Sequence, residues 1–242
     1  MKRKLTKLLT IVISSMLIAS TLFTVAFADS SAPAGTSGDV AWIGETGYPT
    51  LEAAVNAAES GDTIQLGEGN YTLYGVSSEG HTKGKDLTFV GKGTDKTGWN
   101  IGAEVPDPAH FGTEYNGDYS FDGARTITFK DMTLRSGSAN YLGFIRPNNT
   151  IVENCVINGK TFYWGYTSAK FKNTTFNCPD GDYALWTYSS PEMTFDRCTF
   201  NSSGKTVNVY TDYGAGKNDI TVNFKDCTVN NSWVKSDDLQ EA

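Results

Sequence analysis

The second half of the chain repeats one arrangement of apolar and polar positions five times. The copies occupy residues 129–134, 152–157, 171–176, 195–200 and 224–229, so their first residues lie 23, 19, 24 and 29 positions apart. A period in this range is typical of solenoid proteins. Because a stacked repeat cannot bury its apolar face alone, each copy is expected to form one layer of a continuous core.

Each copy alternates apolar and polar residues in two short runs, which predicts one half-buried strand with an irregularity in its middle. In the first copy the apolar positions are Ile127, Phe129, Met132 and Leu134. The alternation slips by one residue between the second and the third of these, which predicts a bend or bulge at the third position of the copy. The residues at that position are Asp131, Asn154, Asn173, Arg197 and Asp226.

Two further positions of the repeat carry polar side chains in regular order. The second position alternates in charge through Lys130, Glu153, Lys172, Asp196 and Lys225. Stacked in parallel, this column is predicted to face solvent and to support the register, since adjacent unlike charges are favourable. The residue after the sixth position is Arg135, Asn158, Asn177, Asn201 or Asn230. Asparagine tolerates left-handed backbone, so a stack of it is interpreted as a structural device at a turn.

A second strand in each repeat is predicted at residues 141–145, 161–165, 183–187 and 206–210. Aligning these segments predicts one inward column, consisting of Phe144, Trp164, Trp186 and Val209. The opposite face then carries Tyr141, Thr161, Tyr183 and Thr206, with Tyr163 and Tyr210 also outside. A register error of one residue would exchange these two sets.

The N-terminal part of the folded region predicts a short strand at 40–43 and one amphipathic helix. Thr50 is the predicted N-cap and Gly61 the predicted end. Leu51, Ala54, Val55 and Ala58 recur at helical spacing and form one apolar stripe.

Residues 48–73 (YPTLEAAVNAAESGDTIQLGEGNYTL) resemble the opening of right-handed parallel β-helix proteins of the pectin lyase-like class, and the repeats from Phe129 onward resemble the β-helix repeat of that class. The resemblance covers nearly all of residues 40–231. It implies an all-β fold, a right-handed parallel β-helix of about six to seven coils, roughly 30 Å long at ~4.8 Å per coil, with an N-terminal capping α-helix. It says little about activity, because this fold carries many unrelated functions.

Residues 1–28 are interpreted as a secretory signal peptide. A basic start is followed by an apolar run and by Ala26-Phe27-Ala28, an A-x-A cleavage site. The alternative is a retained membrane anchor, since the apolar run is nearly long enough to span a bilayer. Residues 29–38 are predicted to be a flexible leader, and 39–242 to form the β-helix domain. The protein is therefore predicted to be secreted or held at the cell surface, with no membrane insertion after signal cleavage.

The charge of the chain excludes some classes of partner. The full chain has 20 basic and 27 acidic residues. Removal of Lys2, Arg3, Lys4 and Lys7 with the signal peptide leaves 16 against 27, a net charge of −11. Such a surface repels nucleic acid and anionic membranes, so neither is an expected partner.

Three of the four cysteines, Cys155, Cys198 and Cys227, occupy the fourth position of the repeat. Other copies place Met132 and Thr174 there, which favours small buried residues with free thiols. The alternative is a disulfide between Cys198 and Cys227, since neighbouring strands lie ~4.8 Å apart. The sequence leaves both open.

The predicted binding residues are the outward tyrosines, Tyr141, Tyr163, Tyr183 and Tyr210. A flat stripe of aromatic rings suits the apolar faces of sugars, and each hydroxyl adds a hydrogen bond. The partner is therefore expected to be a glycan or a cell-surface protein. The alternative is that these tyrosines form a plain sheet surface, because aromatic residues favour strands.

An acidic insertion loop is predicted at residues 102–124. Within it, Asp118, Ser120 and Asp122 mimic the start of a calcium-binding loop. The position that should supply a bidentate glutamate is Phe129, so an EF-hand is excluded. A looser calcium site remains open, and no other cofactor is expected.

No catalytic motif of the resembling class is present. The N-T-D and G-H-G motifs of polygalacturonase-like hydrolases do not occur. None of the four arginines after the leader lies in a motif like that of the pectate lyases. The leading hypothesis is therefore a non-catalytic module that presents a rigid face to a glycan or a protein. The alternatives are a calcium-assisted polyuronate lyase and a structural segment of a longer stalk.

Overall fold

The fold is taken from a computed structural model. It describes residues 38–73, 84–101, 119–121, 123–135, 144–159, 163–178, 183–187, 192–202, 205–209 and 220–230. The predicted signal peptide, most of the predicted leader and most of the predicted acidic insertion lie outside these residues.

The described residues contain 21 strands, joined by turns and loops, and one short helix near the start. The first elements are β1 (Ala41–Ile43), β2 (Thr46–Tyr48), α1 (Leu51–Ala57), β3 (Thr63–Leu66), β4 (Gly69–Thr72), β5 (Leu87–Val90), β6 (Thr97–Asn100), β7 (Tyr119–Ser120), β8 (Thr126–Lys130), β9 (Thr133–Arg135) and β10 (Phe144–Ile145). The later elements are β11 (Asn149–Glu153), β12 (Val156–Asn158), β13 (Tyr163–Trp164), β14 (Ser168–Lys172), β15 (Thr175–Cys178), β16 (Tyr183–Thr187), β17 (Glu192–Asp196), β18 (Thr199–Ser202), β19 (Lys205–Val209), β20 (Thr221–Lys225) and β21 (Thr228–Asn230).

Two long sheets contain most of these strands. One has nine strands in the order β2-β1-β3-β5-β8-β11-β14-β17-β20, and the other has seven in the order β21-β18-β15-β12-β9-β6-β4. Smaller sheets consist of β13-β10-β7 and of β16-β19. Every pairing is parallel except those of β1 with β2 and β3. Repeated strands in stacked, mostly parallel sheets are compatible with a parallel β-helix.

The register confirms that the five sequence copies stack. Along the nine-stranded sheet Phe129 pairs with Val152, Val152 with Phe171, Phe171 with Phe195, and Phe195 with Phe224. Each copy contributes one strand to each long sheet. The apolar positions of the repeat are therefore superimposed from layer to layer, as the pattern predicts.

The core consists of these superimposed apolar columns. The rings of Phe171 and Phe195 stack with centroids 5.0 Å apart, and those of Phe176 and Phe200 with centroids 4.8 Å apart. All four side chains are buried. Aromatic pairs at such distances add about 0.5–1.5 kcal/mol beyond the burial of area, so the columns stabilise the register as well as the core.

The predicted bend lies at the third position of every copy. Asp131, Asn154, Asn173, Arg197 and Asp226 all have left-handed backbone, with φ of 55°, 54°, 48°, 53° and 52°. Asn and Asp visit this region more readily than other non-glycine residues. One left-handed residue turns the chain from the nine-stranded sheet into the seven-stranded sheet, and this accounts for the slip in the alternation.

The asparagine column differs from its interpretation as a turn. Asn158, Asn177, Asn201 and Asn230 lie at matching positions of neighbouring strands, and none has positive φ. Their side-chain amides form a ladder instead. The third position already makes the turn, so the asparagines remain in extended backbone.

The alternating charge column is present in register. Lys130 Nζ lies 2.8 Å from Glu153 Oε2, and Lys225 Nζ lies 3.9 Å from Asp196 Oδ1. Lys172 pairs in register with both Glu153 and Asp196. These exposed pairs contribute little energy, and they disfavour a slipped register that would oppose like charges.

Helix α1 covers the first layer of the core. The Thr50 hydroxyl accepts a hydrogen bond from the Ala53 N–H at 3.0 Å, which confirms the predicted N-cap. Leu51, Ala54 and Val55 are buried. The helix ends at Ala57 rather than at the predicted Gly61, because Ala58 already has extended backbone. Among the described residues, no helix is long and apolar enough to cross a membrane.

Candidate functional site

The small sheet of β7, β10 and β13 contains the positions that bear on the tyrosine prediction. Its register places Tyr119, Phe144 and Tyr163 at one level, and Ser120, Ile145 and Trp164 at the next. Three strands that are neighbours in this sheet therefore bring three aromatic residues to matching positions. Ile145 and Trp164 are both buried.

Trp164 of the predicted inward column is buried, as predicted, but the register of that column (Phe144, Trp164, Trp186 and Val209) is wrong. Trp164 pairs with Ile145 rather than with Phe144, and Trp186 pairs with Asn208 rather than with Val209. In both pairs, the observed partner lies one residue away from the predicted partner. The strands of this face are short and joined by segments of unequal length, so the sequence alternation is too brief to define their register.

The predicted ligand-binding tyrosines divide into two groups. Tyr163 lies in β13 and Tyr183 in β16, where it pairs in register with Lys205. Tyr141 and Tyr210 lie outside the described residues. The register therefore joins Tyr163 to Phe144 and Tyr119, two aromatic residues that the predicted stripe did not contain. No signal in the sequence would have found them, because β7 and β10 have only two residues each and so carry too little alternation to set their own pairing.

An arginine just after β10 and a tyrosine two residues after β13 form a compact pair. The guanidinium of Arg146 donates to the Tyr166 hydroxyl through Nε at 2.6 Å and also through a terminal nitrogen. The guanidinium carbon of Arg146, Cζ, lies 5.4 Å from the centroid of the Tyr166 ring. Cation–π contacts of this kind contribute about 0.5–2 kcal/mol. Both side chains are half-buried.

Gly165 explains why the chain can turn so tightly between Trp164 and Tyr166. Its φ is +112°, a conformation that L side chains rarely adopt. A Cβ atom there would lie 2.9 Å from the Ser168 carbonyl oxygen and 3.1 Å from that of Asn148. The turn joins β13 to β14, and across it the Trp164 ring packs edge-on against Phe171 with centroids 5.3 Å apart.

The other three described arginines are held by structural contacts. Arg125 Nη2 lies 3.0 Å from Asp86 Oδ2, and Arg197 Nε donates to Asn173 Oδ1 at 2.9 Å. Arg135 donates to Asn70 Oδ1. Burial opposes ionisation of Asp86, but hydrogen bonds from the backbone of Thr126 and Arg125 and from the Arg125 side chain hold its pKa below the usual value.

The predicted calcium residues are mostly outside the described part of the chain. Ser120 lies in β7, while Asp118 and Asp122 are not among the described residues. Within the described residues, no three His, Cys, Asp or Glu side chains group closely enough to hold a metal ion. The calcium site therefore remains a prediction.

The cysteines of the repeat carry free thiols, which is the first of the two alternatives that the sequence left open. Cys155 and Cys198 are buried and Cys227 is half-buried. Burial raises the pKa of Cys155 to about 12 and that of Cys198 to about 11. A nucleophilic cysteine needs the thiolate form near neutral pH, so these two positions serve packing rather than chemistry.

Comparisons with protein-family models, with curated proteins and with solved structures gave no match. The resemblance to the pectin lyase-like class therefore rests on the residues of the chain alone.

Proposed function

We propose that the chain is an exported, non-catalytic module that presents a rigid face to a glycan or a cell-surface protein. We further propose that its stacked sheets form a right-handed parallel β-helix of the pectin lyase-like class. The proposed binding face is the small sheet of β7, β10 and β13, continued by β16 and β19.

The observation that carries this proposal is the aromatic level of the small sheet. Tyr119, Phe144 and Tyr163 occupy matching positions on three hydrogen-bonded strands. Since neighbouring strands lie about 4.8 Å apart, such a level brings three aromatic residues to the spacing of the stack. Sugar rings present apolar faces that stack on aromatic side chains, and tyrosine hydroxyls supply hydrogen bonds.

The Arg146–Tyr166 pair supports the same face. Arg146 directly follows β10, the strand that contains Phe144, and it supplies a cation there in an otherwise acidic protein. Arginine and aromatic residues are enriched at the centres of interfaces. The contact with Tyr166 holds the guanidinium in place before a partner arrives, which lowers the ordering cost of binding.

The polyuronate lyase alternative has no comparable support. Its residues Asp118 and Asp122 lie outside the described part of the chain, and Arg125, Arg135 and Arg197 are engaged in structural contacts. It stays a prediction, tested by incubation with uronate polymers and calcium. An unsaturated, ultraviolet-absorbing product would establish it and would overturn the non-catalytic proposal.

Binding is tested with the exported protein purified from the culture medium of expressing cells. A glycan array and a panel of purified cell-surface proteins are probed with the native protein and with Tyr163→Ala and Tyr183→Ala variants. The native protein is expected to bind, and both variants are expected to bind more weakly. Lys170→Ala is the control, because Lys170 is exposed on β14 of the nine-stranded sheet. Blank panels, or equal binding by all four proteins, would refute the proposal.

A further inference from the structure

The last described layer of the stack has an open strand edge. Among the described residues, β20 is the final strand of the nine-stranded sheet and pairs with β17 alone. Phe224 and Val229, the exposed large apolar side chains of the described residues, both lie in this layer. A strand edge that carries apolar side chains is a template for pairing with another strand. We call the free side of β20 the open edge.

The hydrogen bonds to the preceding layer show which backbone groups lie on the open edge. The Lys225 carbonyl oxygen accepts from the Arg197 N–H at 2.8 Å, so the peptide groups of Lys225 point towards the layer of β17. These groups alternate in direction from one residue of a strand to the next. The N–H and C=O groups of Phe224 and Val222 therefore point to the open edge, where they offer two donors and two acceptors.

The opposite end of the nine-stranded sheet is protected. Its edge strand, β2, has only three residues and is followed closely by α1, which lies over the first layer. Short edge strands and covering helices prevent pairing with another chain. The open edge of one copy therefore has no matching edge at the first layer of another copy. It can match the open edge of a second copy, which is the self-complementary arrangement of a twofold dimer.

We propose that two copies of the chain pair through β20, antiparallel to each other, around a twofold axis at Asn223. In this register Val222 of each copy lies opposite Phe224 of the other. Opposite residues of an antiparallel pair exchange both of their hydrogen bonds where their peptide groups face each other. Val222 and Phe224 meet this condition in both copies, so the pairing satisfies all four groups that each open edge offers.

The apolar side chains also match in this register. Residues directly opposite each other lie on the same face of a sheet. Val222 packs against the core, and the Phe224 ring stacks on Phe195 with centroids 5.0 Å apart. In the dimer, Val222 of the second copy covers the exposed side of the Phe224 ring. The apolar columns then continue from one copy into the other.

The charges at the open edge are compatible with this pairing. Lys225 and Asp226 lie at the end of β20, opposite Thr221 and Ile220 of the second copy. No like charges are directly opposed, an arrangement that would be destabilising. Both residues lie at the ends of the interface, and its centre contains Val222 and other uncharged residues.

Other registers are less favourable. A shift that changes the pairing by one residue opposes core-facing to solvent-facing side chains. A twofold axis at Phe224 opposes Val222 to Asp226, which has left-handed backbone. An axis at Val222 opposes Phe224 to Ile220, which precedes the strand. The axis at Asn223 is the one that pairs all five residues of β20.

The competing occupant of the open edge is the chain itself, through residues 231–242, which follow β21 and lie outside the described residues. That arrangement leaves the protein monomeric, so the oligomeric state separates the two. The dimer is independent of the function proposed for the small sheet. If both hold, each dimer carries two copies of that face, which raises the avidity for a repetitive partner.

The test changes the charge of the residue that faces its own copy. Asn223 is exposed, so Asn223→Lys and Asn223→Asp are expected to fold, and each opposes two like charges at the twofold axis. Thr194→Lys is the control, because Thr194 pairs with Asn223 one layer away from the open edge. Sedimentation equilibrium measures the mass of each purified exported protein over a wide range of concentrations. The two Asn223 variants are also mixed in equal amounts, and circular dichroism checks that every variant folds.

The native protein and Thr194→Lys are expected to approach twice the monomer mass as the concentration rises. Each Asn223 variant alone is expected to dissociate at least about tenfold more readily, because like charges opposed across an interface are unfavourable. The mixture is expected to recover the dimer, since opposite charges then face each other at the axis.

A native protein that stays monomeric at its highest soluble concentration would overturn the proposal and favour cover of the edge by residues 231–242. A dimer that neither Asn223 variant weakens would also overturn it, because another surface would form that dimer. Assemblies larger than a dimer would contradict the self-complementary pairing. Folded variants that remain monomeric in the mixture would refute the register centred on Asn223.

Discussion

At the scale of single residues, one left-handed position per repeat determines how the chain passes between the two long sheets. Four of the five residues there are Asp or Asn, which reach this conformation at modest cost. The side-chain amides of Asn154 and Asn173 each donate to the residue one layer before, Asp131 Oδ1 at 2.9 Å and Asn154 Oδ1 at 3.0 Å. Arg197 is the exception in residue type, but its Nε makes the equivalent hydrogen bond to Asn173 Oδ1. The position therefore combines a backbone requirement with a hydrogen-bonding requirement.

Replacing Arg197 separates these two requirements. Arg197→Asn keeps a side-chain donor for Asn173 and relieves the left-handed strain, so the free energy of unfolding is expected to rise by up to about 1 kcal/mol. Arg197→Val loses the donor and places a β-branched residue in a region it avoids, and a loss of about 1–3 kcal/mol is expected. Urea unfolding of both variants measures the difference. A valine variant as stable as the asparagine variant would contradict this account of the turn.

At the scale of elements, the strands are positioned by hydrogen bonds that cross from one layer to the next. Asp86, which precedes β5, accepts from the backbone N–H groups of Arg125 and Thr126 at 2.7 and 3.0 Å, at the start of β8. Its other oxygen accepts from the Arg125 guanidinium. One carboxylate thus aligns the starts of two strands that are almost 40 residues apart in the chain.

The contribution of Asp86 is expected to depend on pH. Its pKa is lowered in the folded protein, so the stabilisation is present above the unfolded value of about 3.9 and is lost as the pH falls through the lower folded value. Asp86→Asn is expected to lower the free energy of unfolding by about 1–3 kcal/mol at pH 7, and the difference should vanish in strong acid. Denaturant unfolding from pH 7 to pH 2 measures it. A difference that stays constant over this range would show that ionisation of Asp86 is irrelevant.

At the scale of the whole molecule, the stack of layers is covered differently along its length. Helix α1 lies over the first layer, and the middle layers bury their apolar residues completely. In the last described layer, Phe224 and Val229 are 50% and 51% exposed. Identical positions of the repeat therefore contribute unequally to stability.

Alanine substitutions in one aromatic column measure this inequality. Phe195 is buried between Phe171 and Phe224, so Phe195→Ala is expected to cost about 3–5 kcal/mol. Phe224→Ala is expected to cost about half of that or less, because burial energy scales with the area removed from water. Melting temperatures and urea unfolding compare the two variants. Equal losses would mean that the column is uniformly covered.

The sequence alone determined the layers of this protein. The apolar positions of five copies, the bend at the third position, the alternating charges and the capping helix all follow from local patterns, because period-two alternation and helix capping are encoded within a few residues. The long sheets could be aligned correctly since each copy repeats several matching positions. Strand pairing then superimposed those positions in register.

Only the tertiary structure decided the register of the small sheet, the asparagine ladder and the Arg146–Tyr166 contact. Strands of two residues carry too little alternation to set their own pairing, so Trp164 meets Ile145 one residue away from the position predicted. The side chains of Asn158 and Asn177 meet only because their strands are stacked, since 19 residues separate them along the chain. Contacts between layers depend on the lengths of the connections as much as on the repeat. A local sequence pattern does not predict how those connections fold.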